Sequence, residues 1–165
     1  MLHLPFHQLN RQNFDRGYTL VETLAVVIIV GILCAIAAPS LLAMQGVAKL
    51  NSSADNIRTA LETSQFQAVK KHTSCKVYIP TNSSTISGDC LPLFNLDPGI
   101  TVRTSGLTGT PPQAIYNFQG LTQSSGTIIL SSNETGDKRC LILNKGAGLI
   151  RGGKYINNTT CQVTE

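Results

Sequence analysis

The hydrophobic and polar positions divide the chain into one long uncharged run near the N-terminus and a polar remainder. The run Leu24–Met44 contains no charged side chain. As an α-helix it would span about 31 Å at roughly 1.5 Å per residue, which matches the hydrocarbon core of a bilayer, about 30 Å thick. The sequence from Gln45 onward contains no second run of this kind. The pattern predicts one membrane-spanning helix followed by one small domain of about 90 to 120 residues.

Apolar residues continue past the uncharged run with helical spacing. Between residues 45 and 73 they recur at i, i+4, i+7, i+11 and i+18 and form a stripe on one helical face, which consists of Leu50, Ala54, Ile57, Leu61 and Ala68. We therefore expect one helix from Tyr18 to about His72, whose second half packs on the following domain through this stripe. Pro39 removes a backbone donor and is expected to kink the helix.

From Cys75 onward the pattern changes to short alternating runs that are typical of strands. These runs are CKVYIP, AIYNF, TIILSS, KRCLILN and GLIRGGKYI. The clusters SSTISGDC, SGLTGTPP and SSNETGDK lie between them and are typical of turns and loops. The predicted fold is α+β, with a long N-terminal helix packed on a C-terminal antiparallel β-sheet or small β-sandwich.

The charged residues before the apolar run, and the order of the N-terminal segments, predict how the chain is oriented in the membrane. Residues 1–17 are polar and include Arg11 and Arg16, and no obvious cleavage site follows the apolar run, so the segment differs from a secretory signal peptide. Cationic residues before the helix favour a cytoplasmic N-terminus. We expect a cytoplasmic segment 1–17, a membrane helix 18–45 and an exported domain 46–165. The net charge of +4 does not by itself indicate nucleic-acid binding.

The cysteines are consistent with export. Cys34 lies inside the apolar run, whereas the polar part contains an even number of cysteines, which suggests two disulfides. Three connectivities are possible, and we favour Cys75–Cys90 with Cys140–Cys161 because each pair closes a short local loop. Four free thiols are the alternative. No CxxC or Cys/His ligand spacing occurs, so no metal site is expected.

The residues of the chain do not suggest an enzyme. His3 and His7 precede the helix, and His72 falls at the expected helix end beside two lysines. The serines lie in predicted turns without a nucleophile elbow. The glycine-rich GAGLIRGG follows a strand-like run and opens no obvious helix, so a dinucleotide site is not indicated. We expect no catalytic residue and no cofactor.

The stretch RGYTLVE, followed by an apolar helix that contains Pro39, resembles the prepilin signal of type IV pilins and of the pseudopilins of type II secretion. This resemblance implies that a dedicated aspartic peptidase, the prepilin peptidase, cleaves between Gly17 and Tyr18 and methylates the new Tyr18 amine. It also implies that Glu22, the fifth residue of the mature chain, pairs with that amine in a neighbouring subunit. Simple tolerance of a carboxylate at the membrane surface is the alternative for Glu22, because its cost there is below the about 2.5–3.5 kcal/mol of a mid-membrane position.

The C-terminal part of the sequence resembles one particular group of pilins and pseudopilins. The segment 114–154, with its GTIIL and LIL strands and its late Gly-x-x-Arg, is similar to GspH/FimT-like minor pilins and pseudopilins. The resemblance implies a structural subunit of a type IV pilus or type II secretion pseudopilus, held in the inner membrane with its domain outside. Its implied partners are the prepilin peptidase and other pilins or pseudopilins. A membrane-anchored domain that never assembles is a further alternative.

A group of cations near the C-terminus raises a second functional hypothesis. Five of them are expected on neighbouring strands and loops and could form one positive face: Lys138, Arg139, Lys145, Arg151 and Lys154. The resemblance to FimT-like minor pilins implies DNA uptake through a Gly-Arg-x-Arg stretch. Here Gly148 is followed by Leu149, Ile150 and Arg151, so one of the two arginines is replaced. We therefore expect a solvated face or a subunit contact, with a DNA-binding minor pilin as the alternative.

Overall fold

The computed structural model of the chain describes residues 18–81, 83–156 and 160–163. The chain divides into two compact units, Met1–Pro39 and Ser40–Glu165. In the described part, the first unit is helical, and the second contains the rest of the same helix and every strand. The predicted segment 1–17, including Gly17, lies outside the described residues.

The helix α1 spans Leu20–Lys71, 52 residues, and agrees with the predicted bounds within two residues. Helical structure continues through Pro39 without a break, and the kink expected there stays a prediction. The helix ends in a Schellman motif, in which the Thr73 N–H donates to the Ala68 carbonyl at 3.2 Å and the His72 N–H donates to the Val69 carbonyl at 3.3 Å. His72 takes the left-handed conformation that this motif requires, with φ of 50°. His72 therefore terminates the helix.

Nine strands in the described residues form two antiparallel sheets. A four-stranded sheet has the order β3-β2-β1-β5, and a five-stranded sheet has the order β4-β6-β7-β8-β9. The strands are β1 (Cys75–Tyr78), β2 (Thr85–Gly88), β3 (Phe94–Asn95), β4 (Ile100–Ser105), β5 (Gln113–Tyr116), β6 (Gly126–Ser132), β7 (Lys138–Leu143), β8 (Ile150–Ile156) and β9 (Thr160–Val163). The predicted α+β fold is confirmed, and its β part consists of two sheets.

Four strands were not predicted from the sequence. The segment SSTISGDC, expected to be a loop, contains β2, and β3, β4 and β9 were also missed. β2 buries a single large side chain, Ile86, which is too little for an alternating pattern. Pairing with neighbouring strands, rather than local sequence, makes these segments strands; β2, for example, is hydrogen-bonded to β1 on one side and β3 on the other.

The core lies between the second part of α1 and both sheets. All five residues of the predicted stripe are buried, and Ala60, Ser53 and Ser64 are buried with them. The four-stranded sheet contributes chiefly Val77, Ile86, Ala114 and Tyr116 to the core, with Ile79 directly after β1, and the five-stranded sheet contributes Val102, Ile128, Leu130, Leu141 and Leu143. Both sheets therefore pack on the same face of the helix. This close packing explains why small residues lie between the larger ones on that face.

Both disulfides favoured from the sequence are present. Cys75 pairs with Cys90 at a Cα–Cα distance of 5.6 Å, and Cys140 pairs with Cys161 at 5.9 Å. The second bridge joins β7 to β9, although β8 lies between them in the sheet. The buried Gly153 of β8 allows this approach, because a Cβ there would clash with the Gln162 carbonyl oxygen. The absence of a side chain at this position lets β9 fold over the sheet toward Cys140.

Candidate assembly helix and charged sheet faces

The N-terminal part of α1 exposes all of its side chains. Residues 18–45 are exposed throughout, and their large apolar side chains are between 51% and 79% accessible. The helix contains a window of mean hydropathy 2.8 and is long and apolar enough to cross a membrane. An apolar surface of this extent is not stable in water and requires lipid or other protein against it.

Glu22 lies in the first turn of α1, where Thr19 caps the helix. The Glu22 N–H donates to the Thr19 side-chain oxygen at 3.3 Å, and the Thr23 N–H donates to the Thr19 carbonyl at 3.1 Å. Thr19 and Glu22 thus occupy the N-cap and N3 positions of a T-x-x-E capping sequence. This local role was missed, although the Thr-Leu-Val-Glu spacing signals it. A carboxylate in the first turn also interacts favourably with the helix dipole, typically by about 0.3–1 kcal/mol.

Tyr18 precedes the helix and is 77% exposed. Tyr18 and Thr19 both lie before the first helical residue, and Thr19 is the N-cap whose carbonyl accepts the first helical hydrogen bonds. Tyr18, on the C-terminal side of the expected cleavage site, therefore lies before the first helical residue, Leu20.

The five C-terminal cations do not form one face, and this expectation is wrong. Arg139 pairs with Lys154 across β7 and β8, on the side where Leu141 and Leu143 reach the core. Lys138 and Arg151 occupy the alternate positions and lie on the opposite side of the sheet. Lys145 lies in the turn after β7. Strand alternation separates neighbouring cations because successive side chains point to opposite faces.

The outward face of the five-stranded sheet contains a cation that sequence reasoning missed. Arg103 of β4 lies on the same side as Lys138, and with Ile129, Ser131 and Tyr155 the two line a surface pocket of about 400 Å³. The outward positions of β4, β6, β7 and β8, all within the described residues, include Arg151 and no carboxylate. We call this outward side of the five-stranded sheet the outer face. The sequence of β4 alternates in a way that could have placed Arg103 there, because Ile100, Val102 and Thr104 alternate with Thr101, Arg103 and Ser105.

Arg139 faces α1 instead. With Asn51, Asp55 and Arg58 of the helix and Gly152 of β8, it lines a cleft of about 360 Å³. Arg58 donates to Glu62 at 2.7 Å, and this hydrogen bond and the charge of Glu62 raise the pKa of Arg58. Charges of both signs occur together here, so this side of the sheet is not a positive surface. Among the described residues, no group of three or more His, Cys, Asp or Glu side chains could hold a metal ion.

Comparison with known proteins gives four results. The prokaryotic N-terminal methylation motif matches residues 13–38. The type IV minor pilin FimU of Pseudomonas aeruginosa has a similar structure, with a TM-score of 0.54, 14% identity, and coverage of 70% of this chain and 95% of FimU. The minor pseudopilin EpsH from the type 2 secretion system of Vibrio cholerae gives a TM-score of 0.53, 13% identity, and coverage of 64% of this chain and 97% of EpsH. A search of curated protein sequences finds no match.

The sequence match is confined to residues 13–38, whereas the structural likeness covers 64–70% of the chain. The matched motif covers the segment around the expected cleavage site and the first part of the apolar helix. The two solved structures share the fold of a long helix packed on antiparallel sheets. The chain thus carries the prokaryotic N-terminal methylation motif and shares the fold of the minor pilin FimU and of the minor pseudopilin EpsH.

Proposed function

We propose that the chain is a minor structural subunit of a type IV pilus or of a type II secretion pseudopilus. The exposed apolar helix carries this proposal, because an uncovered surface along residues 20–44 fits first a bilayer and then the helices of other subunits. In maturation, the prepilin peptidase cleaves the bond between Gly17 and Tyr18, which removes residues 1–17, and methylates the new Tyr18 amine. Segment 18–45 spans the inner membrane, and domain 46–165 lies outside.

Glu22 is the proposed recruiting group. Cleavage creates a cationic amine on Tyr18, and the Glu22 carboxylate of a neighbouring subunit offers a partner of opposite charge. Inside a bundle of apolar helices an unpaired charge is costly, so pairing selects the register in which both charges are neutralised. The capping contact with Thr19 orients the first turn in which Glu22 lies, and it is compatible with this role because it uses the backbone N–H of Glu22.

Mass spectrometry of the membrane-extracted protein tests the maturation. We expect an N-terminal N-methyl-tyrosine at position 18 in cells with active prepilin peptidase, and the full-length chain when Gly17→Val is introduced. Gly31→Val is a matched control, since Gly31 lies in the helix with no atom near its Cβ direction. A mature chain that begins at another residue would contradict the proposed site.

Glu22→Ala tests the assembly role separately. We expect normal processing and membrane insertion but a lower amount of the protein in sheared filaments or in the assembled pseudopilus. Glu22→Gln is the decisive companion, because it keeps the size of the side chain and removes only its charge. Normal assembly of both variants would leave Glu22 with the capping role alone.

The outer face favours one alternative, a minor pilin that binds DNA. Three cations, Arg103, Lys138 and Arg151, lie on this face with no carboxylate at the outward positions of β4, β6, β7 and β8, and in this alternative they supply the phosphate contacts. If all three neutralise phosphates, the logarithm of the binding constant should fall with the logarithm of salt at a slope of about 2.7, from roughly 0.9 per contact. Arg151→Ala and Arg103→Ala should each lower this slope, whereas Lys154→Ala, on the other side of the sheet, should not. Binding that depends equally on Lys154 would contradict this surface.

A further inference from the structure

Two pockets meet at Arg103 on the outer face. A pocket of about 740 Å³ touches four consecutive residues of β4, from Thr101 to Thr104, and reaches Thr81 after β1. Because successive strand residues point to opposite faces, a pocket that touches all four lies along the free edge of β4. The pocket of about 400 Å³ described above extends across β4, β6, β7 and β8. Arg103 and Ser131 line both pockets, so the two adjoin, and we call them together the outer trough.

Arg103 is an unpaired cation where the two pockets adjoin. Its side chain is exposed and, unlike Lys49 and Arg58, it has no ion pair or hydrogen bond with a described residue. The described residues that line the two pockets include no aspartate or glutamate. The nearby β6–β7 turn contains Glu134 and Asp137, but Glu134 is paired with Lys49 at 2.7 Å. A free guanidinium binds a carboxylate well, because it donates two parallel N–H···O bonds to the two carboxylate oxygens.

Neutral hydrogen-bonding groups form most of the remaining lining of the outer trough. They are five hydroxyls and one amide, and each can both donate and accept: Thr81, Thr101, Thr104, Ser131, Tyr155 and Asn133. The side-chain oxygens of Thr101 and Ser131 lie 2.7 Å apart and are hydrogen-bonded to each other, which orders this pair. A ligand that matches such a lining has many hydroxyl groups of its own, because hydroxyls also donate and accept.

The outer trough fits duplex DNA poorly. Its lining contains two cations, Arg103 and Lys138, against six neutral polar groups. Affinity for a duplex depends on the number of phosphates that cations neutralise, and neutral hydroxyls do not replace that term. Arg151, which the DNA alternative also requires, lines neither pocket.

An extended peptide added to the edge of β4 also fits poorly, whereas a sugar ring fits well. Val102, in the middle of the edge strand, is only 4% exposed, so its backbone is not open to a further strand. Ile129 and the Tyr155 ring add apolar surface to the polar lining. This mixture matches a sugar ring, which has hydroxyls at its rim and C–H groups on its faces.

We propose that the outer trough binds an oligosaccharide of carboxylated sugars, with Arg103 on a sugar carboxylate and the hydroxyl-rich lining on the sugar hydroxyls. Each of the two pockets falls within the range of about 300–1,000 Å³ that is typical of ligand sites. The proposal goes beyond the proposed function, because the opposite side of the same sheet packs on α1 and the outer face takes no part in that contact.

Calorimetric titration of the full chain in phosphatidylcholine nanodiscs tests the site. The probe is a short oligogalacturonate, a chain of carboxylated sugars, and we expect saturable binding. The methyl-esterified form of the same chain keeps the sugar hydroxyls without the charges, and it should bind at least roughly tenfold more weakly. Oligoglutamate has carboxylates without sugar hydroxyls and should not bind saturably. Absence of oligogalacturonate binding, or equal binding of oligoglutamate, overturns the proposal.

Three exposed positions supply the variants. Arg103→Ala should weaken oligogalacturonate binding by roughly tenfold or more, because it removes the charge-assisted hydrogen bonds to the carboxylate. Thr81→Val replaces a hydroxyl with a methyl group and should weaken binding by roughly threefold to tenfold. Arg151→Ala is the matched control, because it removes an exposed cation from the same face outside both pockets, and it should leave the affinity unchanged. Unchanged affinity in Arg103→Ala overturns the assignment.

Two further titrations separate the ligand classes. A dextran sulfate oligomer of equal length carries sulfated sugars, and tighter binding of it than of oligogalacturonate would overturn the carboxylate assignment. Duplex DNA bound more tightly than oligogalacturonate, with equal losses in Arg103→Ala and Arg151→Ala, would assign the outer face to DNA and contradict the sugar site. None of these measurements depends on processing or assembly, so this inference and the proposed function can fail separately.

Discussion

Ile29 and Ile57 belong to the same helix, yet Ile29 is 58% exposed and Ile57 is completely buried. The first part of α1 is apolar on every side, so no face of it is distinguished for packing within the chain. The second part has a stripe of apolar residues with small or polar residues between them, and two sheets cover that stripe. One continuous helix thus has a first part whose apolar side chains are exposed and a second part whose apolar side chains are buried in the domain.

The largest expected effect separates these two parts directly. Ile57→Ala should lower the free energy of unfolding of the second unit by about 2–5 kcal/mol, because it removes buried methyl groups and leaves a cavity. Ile29→Ala should change it by less than about 0.5 kcal/mol. Denaturant unfolding of both variants in detergent, followed by circular dichroism, measures the difference. A comparable loss in both variants would show that residue 29 packs within the chain.

The disulfides provide the next contrast, since all four paired cysteines lie in the second unit and Cys34 lies in the first. Replacing both Cys140 and Cys161 with serine should destabilise the domain by about 3 kcal/mol in the chain-entropy estimate for a loop of this length. Cys34→Ser, at an exposed position of the apolar helix, should leave the unfolding midpoint unchanged. Thermal unfolding under non-reducing conditions tests both variants, and an unaltered midpoint in the double variant would contradict the estimate.

Two glycines, one in each part of α1, allow the two parts to be compared by the effect of adding a single Cβ atom. A Cβ on Gly46 would lie 2.6 Å from the Thr135 side chain, whereas a Cβ on Gly31 would have no atom within 4 Å. Gly46→Ala should therefore cost about 1–3 kcal/mol by overpacking against the β6–β7 turn. Gly31→Ala should be neutral or should favour the helix by up to about 1 kcal/mol. Unfolding free energies measured in the same detergent distinguish these signs.

The smallest effect concerns a polar group in the buried region. Burial raises the pKa of Tyr116, with a smaller contribution from the charge of Glu62. The folded state keeps the phenol proton while the unfolded chain loses it near pH 10, so stability should fall as pH rises above about 10. The Tyr116 hydroxyl has no hydrogen-bond partner among the described residues. Tyr116→Phe should remove this alkaline loss and, near neutral pH, should be neutral or stabilising by about 1 kcal/mol.

Denaturation of wild type and Tyr116→Phe at pH 8 and pH 10.5 measures this effect. Both proteins should carry Cys34→Ser so that the free thiol does not exchange with the disulfides. An equal decrease of stability in both proteins would assign the alkaline loss to other groups.

Several elements could be predicted because their signal is local. The length and hydropathy of the apolar run, the spacing of the stripe and the closeness in sequence of each cysteine pair depend on residues near one another in the chain. The first strand of the domain and the strands around GTIIL and KRCLIL also alternate strongly enough to be located. For these segments, local preference and the final packing agree.

The sequence by itself therefore determined the apolar helix, the N-terminal motif, the stripe and the α+β class. Only the tertiary structure decided that β2 and β9 are strands, because each depends on a neighbour for its hydrogen bonds. It also decided which cations share a face. The pairing of β7 with β8 places Arg139 beside Lys154 toward the helix, while the pairing of β4 with β6 places Arg103 on the outer face with Lys138. Such groupings depend on strand register, and a shift of one residue in register would reverse every side chain on the strand.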